Sequence, residues 1–318
     1  MSARPAGERI PMRVPLQRPA APEPPAASPS SAPPARAGAF WRLTLRRLAA
    51  QPTTRVAAAL LAMIVIGCLV IPWLSPYDYY TPHFDLLSRG PMLAGAHLFG
   101  TDPLGRDLLV RVMWGCRISL AVGVAASLVS VLIGVAWGAI AGYVGGWLDS
   151  AMMRAVDVLY SVPFVPFVIV LTVLFGRGLW LIFLAIGAVS WLDIARIVRG
   201  QTLSLKQREF IEAARVGGVH GLGMIHRHIV PNLLGIVSVY ATLTIPTAIL
   251  FEALLSFLGM GVQSPMASLG SLVADGASDM QSHPHLLIVP ALFLSAIVYA
   301  FNYLGDALRK ALDPRGGT

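Results

Sequence analysis

Residues 56–74 run without a single charged side chain. At about 1.5 Å per helical residue such a run spans a hydrocarbon layer roughly 30 Å thick, so it reads as a membrane-crossing helix. Five further apolar stretches follow, near 118–143, 155–175, 179–194, 233–258 and 286–304. Charged residues make up 13% of the 318, against about 25% in an ordinary soluble domain, which excludes a water-soluble fold. The expectation is an all-α polytopic membrane protein with six transmembrane helices.

The net charge of +8 does not point to nucleic acid, because the basic residues flank apolar runs. With the amino terminus inside, nineteen Arg and Lys fall on the cytoplasmic side and five outside. By the positive-inside rule both termini are cytoplasmic and the chain is a multi-pass membrane protein. Residues 1–38, rich in Arg, Pro and Ala, cannot bury a core and read as a disordered cytoplasmic tail. Phe40, Trp41, Leu43, Leu45 and Leu48, interleaved with Arg42, Arg46 and Arg47, suggest a basic amphipathic helix on membrane lipid. Residues 39–116 would comprise that helix, the first span and an extracytoplasmic loop; 117–318 would be a five-helix core. In the outer loop, Asp102 before Pro103 reads as a helix start, followed by a stripe of Leu104, Leu108, Leu109, Val112 and Met113 lying along the outer surface or across the bundle mouth.

Chemistry of the usual kinds is missing. A phosphate-binding loop needs Gly-Lys before Ser or Thr, yet the two lysines are Lys206 after Leu205 and Lys310 after Arg309. This chain therefore cannot hydrolyse ATP by that route; if it pumps, the motor sits on another polypeptide, and no catalytic, cofactor or metal residue is expected here. Cys68 and Cys116 read as apolar fillers, and His220, His226, His228, His283 and His285 as solvated loop residues. Asp157 would pair locally with Arg154, and Asp193 with Arg196, near the cytoplasmic interface. Glu252 lies deeper without a local cation, so it could face a pathway or a partner permease.

The inward loop at 196–232 says most. Residues 206–216 read as a helix with Phe210, Ala213 and Ala214 on one side and Arg208, Glu212 and Arg215 on the other, stopped by Gly217 and Gly218. A second short helix over 222–229 precedes Pro231. Helices this short need a partner surface.

The run Glu212-Ala213-Ala214, then Gly218, His228 and Val230-Pro231, resembles the EAA motif of binding-protein-dependent ABC importer permeases. His228 differs from the general pattern but is similar to the dipeptide, oligopeptide and nickel branch, where Gly217 is a mild departure. Leu98 to Asp107, Arg117-Ile-Ser-Leu, Ser256 to Gln263, and Asn302 to Arg315 also resemble the second permease subunit of these systems. The resemblance implies a type I (MetI-like) permease bundle, the pore subunit of an ATP-driven importer, for di- or oligopeptides. It implies an elbow docked on one of two cytoplasmic ATPases that hold ATP and Mg, with Glu212 giving charge, Ala213 and Ala214 close packing, Gly218 a turn and Pro231 the end of the elbow. A homologous permease and an extracytoplasmic solute-binding protein complete the expected partners. The rival is a self-contained secondary transporter, for which Pro163, Pro166, Pro246 and Pro290 could break spans but the elbow would have no use.

Overall fold

The structure, a computed structural model, describes residues 37–92, 97–176 and 178–312. Most of the tail, Arg177 and the closing 313–318 lie outside the described residues. The chain divides between residues 41 and 42, and of the first unit only the opening turn of helix α1 (Ala37–Ala50) is described.

All the regular elements described are helical. After α1 come α2 (Pro52–Leu74), α3 (Leu108–Val144), α4 (Gly146–Ser161), α5 (Phe164–Phe175), α6 (Leu179–Lys206), α7 (Glu209–Val216), α8 (Leu222–Met224), α9 (Val230–Phe257), α10 (Leu269–Ser278) and α11 (His285–Leu312). Helices α2, α3, α6, α9 and α11 are each long and apolar enough to cross a membrane, and α4 with α5, bent by 82° between them, passes the same test as a pair, giving five crossings or six. An even number of crossings agrees with the chain ends: Arg47 Nη1 donates to the Ala311 carbonyl at 3.4 Å, and Tyr303 bonds Thr53, bringing the start of α2 to the end of α11.

The helices differ from the sequence reading in several places, most of them because a charge finds a distant partner. The expected boundary at 116/117 falls inside α3, a helix of 37 residues and so about 55 Å long. Arg117 does not interrupt it: its guanidinium donates to the Cys68 carbonyl at 2.7 Å and lies 4.4 Å from the centre of the Trp114 ring. The stripe of Leu108, Val112 and Met113 is therefore the buried outer end of a spanning helix. Asp102 does not start that helix either. Asp107 caps it, accepting from the Val110 N–H at 2.8 Å, while Asp102 gathers Arg106 Nε at 2.7 Å and Arg111 Nη1 at 2.5 Å.

The third crossing begins earlier than expected, at Gly146, and breaks at Val162-Pro163 with a bend of 82°. Pro163 lacks an N–H and disfavours helical geometry in the residue before it. The fourth runs past Ile194 to Lys206, because Arg199 forms a two-pronged pair with Asp149 (2.6 and 2.7 Å) and Arg196 reaches Asp157 at 3.0 Å. The outer loop after α9 also contains α10, whose start is a capping box between Ser268 and Ser271.

Helices α3 and α6 approach with almost no space between backbones. A Cβ on Gly134, Gly138 or Gly142, one per turn of α3, would fall within 3 Å of atoms at Ile194, Ala195 or Thr202. Small residues at this spacing let helices meet where apolar burial against lipid gives little driving force. Cys68 and Cys116 are both buried in the outer apolar core, as expected of fillers.

Candidate functional site

The inward segment is narrower than 196–232 suggests, since α6 continues to Lys206 and helix resumes at Leu222. Its root is fixed by Lys206, whose Nζ donates to the Tyr143 carbonyl at 2.7 Å and so ties the inner ends of α6 and α3 together.

Helix α7 carries Glu209 and Glu212 in its first turn and Arg215 in its last, each at the end that the helix dipole favours. Its anchor is Ile211, fully buried against Met224, Ile225, Ile229, Ala139, Ile194 and Val198. Ala214, one turn on, packs on the same core. The expected inner face of Phe210, Ala213 and Ala214 is thus rotated: Phe210 is 43% exposed and Ala213 faces solvent beside Glu212. The signal for Ile211 was its spacing of three from Ala214.

Past α7 the chain turns in a Schellman arrangement. Val219 N–H donates to the Ala214 carbonyl and Gly218 N–H to the Arg215 carbonyl, both at 3.0 Å. Gly218 itself takes φ of +86°, the left-handed value at which a Cβ is disfavoured. Val216 (90% exposed) and Leu222 (75%) flank this turn, an apolar surface with nothing covering it among the described residues.

Pro231 does not end the elbow. Helix runs from Leu222 through it to Phe257, by way of a π-helical turn at Ile225–Ile229. A proline ring inside an α-helix clashes with the carbonyl four residues earlier, and the wider turn relieves that contact. The Val230 N–H reaches back to the Ile225 carbonyl, and Asn232 Nδ2 donates to the carbonyl of half-buried His228 at 2.6 Å. Glu212, Ala213, Ala214, Gly218, His228 and Pro231 therefore share one compact elbow.

Glu252 lies elsewhere, fully buried within the subunit, so in this structure its carboxyl opens onto no pathway. Ser119 Oγ on α3 and Ser256 Oγ on α9 donate to its carboxyl at 3.0 and 2.7 Å, and Ser119 in turn accepts from the Leu269 N–H of α10 at 3.2 Å. Three helices are tied at the outer end by this network, which no local spacing announced. The expected Asp193–Arg196 and Asp157–Arg154 pairs are not formed. Arg196 bonds Asp157 on α4, and Asp193 has no partner among the described residues.

Comparison with known proteins adds a family. A family model described as the binding-protein-dependent transport system inner membrane component matches residues 134–316, and one described as the N-terminal TM domain of oligopeptide transport permease C matches 39–91. The chain is 51% identical over 276 residues to the oligopeptide transport system permease protein OppC of Haemophilus influenzae, covering 87% of this chain and 89% of that protein. Identity to OppC of Escherichia coli K12 is also 51%, with 87% and 91% covered. To the dipeptide transport system permease protein DppC of Bacillus subtilis it is 43%, with 86% and 84% covered. Among solved structures, an inward-facing form of the MetNI methionine ABC transporter shares the fold at a TM-score of 0.51 and 20% identity, covering 64% of this chain and 96% of that one.

Proposed function

The chain belongs to the family of binding-protein-dependent transport system inner membrane components, and from that membership we propose that it is a pore subunit of an ATP-driven importer of short peptides. Its relatives are named as oligopeptide and dipeptide permeases, which supports that substrate class. The observation that carries the mechanism is the elbow: a short helix fixed to the bundle by Ile211 yet presenting Ala213 and Val216 outward, with Leu222 exposed beyond the turn. That surface suits a groove on a cytoplasmic ATPase, which would hold ATP and Mg.

In this reading nucleotide binding on a pair of ATPases moves the elbow. Because Ile211, Met224 and Ile229 share a core with α3 and α6, the movement reaches the spanning helices directly. Transport then follows from nucleotide stabilising one of two bundle states over the other. A homologous permease forms the other half of the pore, and an extracytoplasmic solute-binding protein delivers the peptide. A self-contained secondary transporter would leave the elbow surface without a role.

Purification of the tagged chain from its native host tests this. An ATPase and a second permease should copurify, and the reconstituted complex should take up a radiolabelled tripeptide only with ATP and binding protein present. Uptake by the chain alone, driven by an ion gradient, would overturn the reading.

A further inference from the structure

Inside the bundle a cavity of about 690 Å³ opens where the break in the third crossing, α6 and α9 meet. Asp193 lies near the midpoint of α6, which in the pore-subunit reading puts the cavity at membrane depth. Tyr160, Val162 and Pro163 line it, and non-helical backbone at membrane depth is stable only where protein or water covers it. In the pore-subunit reading this cavity would lie on the solute's route.

Within a mostly apolar lining, its serine and threonine hydroxyls share one chemical character. Ser190, Thr244 and Thr247 each donate their hydroxyl proton to their own helix, to the carbonyls of Ile186 (2.8 Å), Tyr240 (2.8 Å) and Leu243 (3.2 Å). A hydroxyl has one proton, so what remains for a ligand is acceptor lone pairs. Asp193 adds a carboxylate, exposed and without a partner. The one cation among the described lining residues, Arg196, is engaged by Asp157 at 3.0 Å and stacked 4.3 Å over the Tyr160 ring. An acceptor-rich wall with one free negative charge calls for a cationic donor.

We propose that Asp193 and the hydroxyl oxygens beside it form a transit site for the protonated amine of the solute, which in a peptide without lysine is its amino terminus. The proposal rests on the pore-subunit reading and gives it a residue in the pathway. An ionisable group at membrane depth without a structural partner is costly, and contact with the passing solute accounts for it.

The test compares ATP-dependent uptake of trialanine by the full complex in proteoliposomes with wild type, Asp193→Asn and Asp193→Glu. Since Asp193 supports no other side chain, both variants should assemble and hydrolyse ATP. Loss of a charged hydrogen bond predicts uptake lowered about tenfold in Asp193→Asn and largely kept in Asp193→Glu. Wild-type uptake in Asp193→Asn, equal loss in both variants, or failure of Asp193→Asn to assemble with the second permease would each overturn the transit site. Absence of uptake by the wild-type complex would instead overturn the pore-subunit reading.

Discussion

A Cβ placed on Gly138 of α3 would stand 2.4 Å from the Ala195 carbonyl oxygen of α6. Backbone cannot yield as a side chain tip can, so Gly138→Val should force the two helices apart. Overpacking of this kind costs about 1–3 kcal/mol, and contact with main chain places it at the upper end. Thermal unfolding of the purified complex, followed by light scattering, should shift down clearly. Gly200→Ala, where nothing lies within 4 Å, should leave it unchanged.

Gly218 presents the opposite case, open space but a left-handed backbone at φ +86°. A valine there meets no neighbour yet incurs about 1–2 kcal/mol of backbone strain, whereas asparagine tolerates the conformation better. Gly218→Val should distort the turn and reduce the ATPase retained on purification and the rate of uptake, with Gly218→Asn close to wild type. Equal retention and uptake in all three would remove the turn from the coupling account.

The network around Glu252 makes a prediction about stability rather than transport chemistry. Glu252→Ala would leave the buried hydroxyls of Ser119 and Ser256 without their acceptor, a loss of about 1–3 kcal/mol. Glu252→Gln keeps an acceptor and should lose less. Denaturation midpoints of the two variants, compared with wild type, give the order.

Asp275 on α10 should make the outer cap slightly pH-sensitive. Partial burial away from water raises the carboxyl above its usual value of 3.8, an effect that Arg111 and Arg106 oppose and Asp102 and Asp279 reinforce. A carboxyl that holds its proton more tightly folded than unfolded takes up protons on folding, so stability falls as pH rises from the ordinary value through the raised one. Asp275→Asn should therefore be at least as stable as wild type at neutral pH, and the difference should vanish as pH falls below the ordinary carboxylate range. Because solvent reaches the side chain, the effect should be small.

Uncharged length made the spans legible, and the turn at Gly217-Gly218 could be placed from residue type, because both depend on neighbours in sequence. Partners across the bundle could not be read that way. Arg117, Arg196 and Arg199 look like span ends, yet each finds its acceptor 39 to 50 residues away, so α3 and α6 continue where the pattern suggested a stop. The same reason hides the burial of Glu252, whose donor Ser119 is 133 residues distant. In the elbow the residues were identified together, but the face was rotated because Ile211, not Phe210, fits the pocket formed by Met224 and Ile229. Pro231 read as a stop because the π-turn that accommodates it has no mark in the sequence.

The most direct test of the account is a contact at Ala213. Both native cysteines are buried, so Ala213→Cys supplies the one exposed thiol among the described residues. Labelled with a short thiol-reactive photocrosslinker and illuminated within the purified complex, it should yield a covalent adduct with the ATP-hydrolysing subunit, at a yield that changes when nucleotide is added. A complex that hydrolyses ATP and imports peptide yet gives no such adduct would contradict the elbow's role as the coupling element.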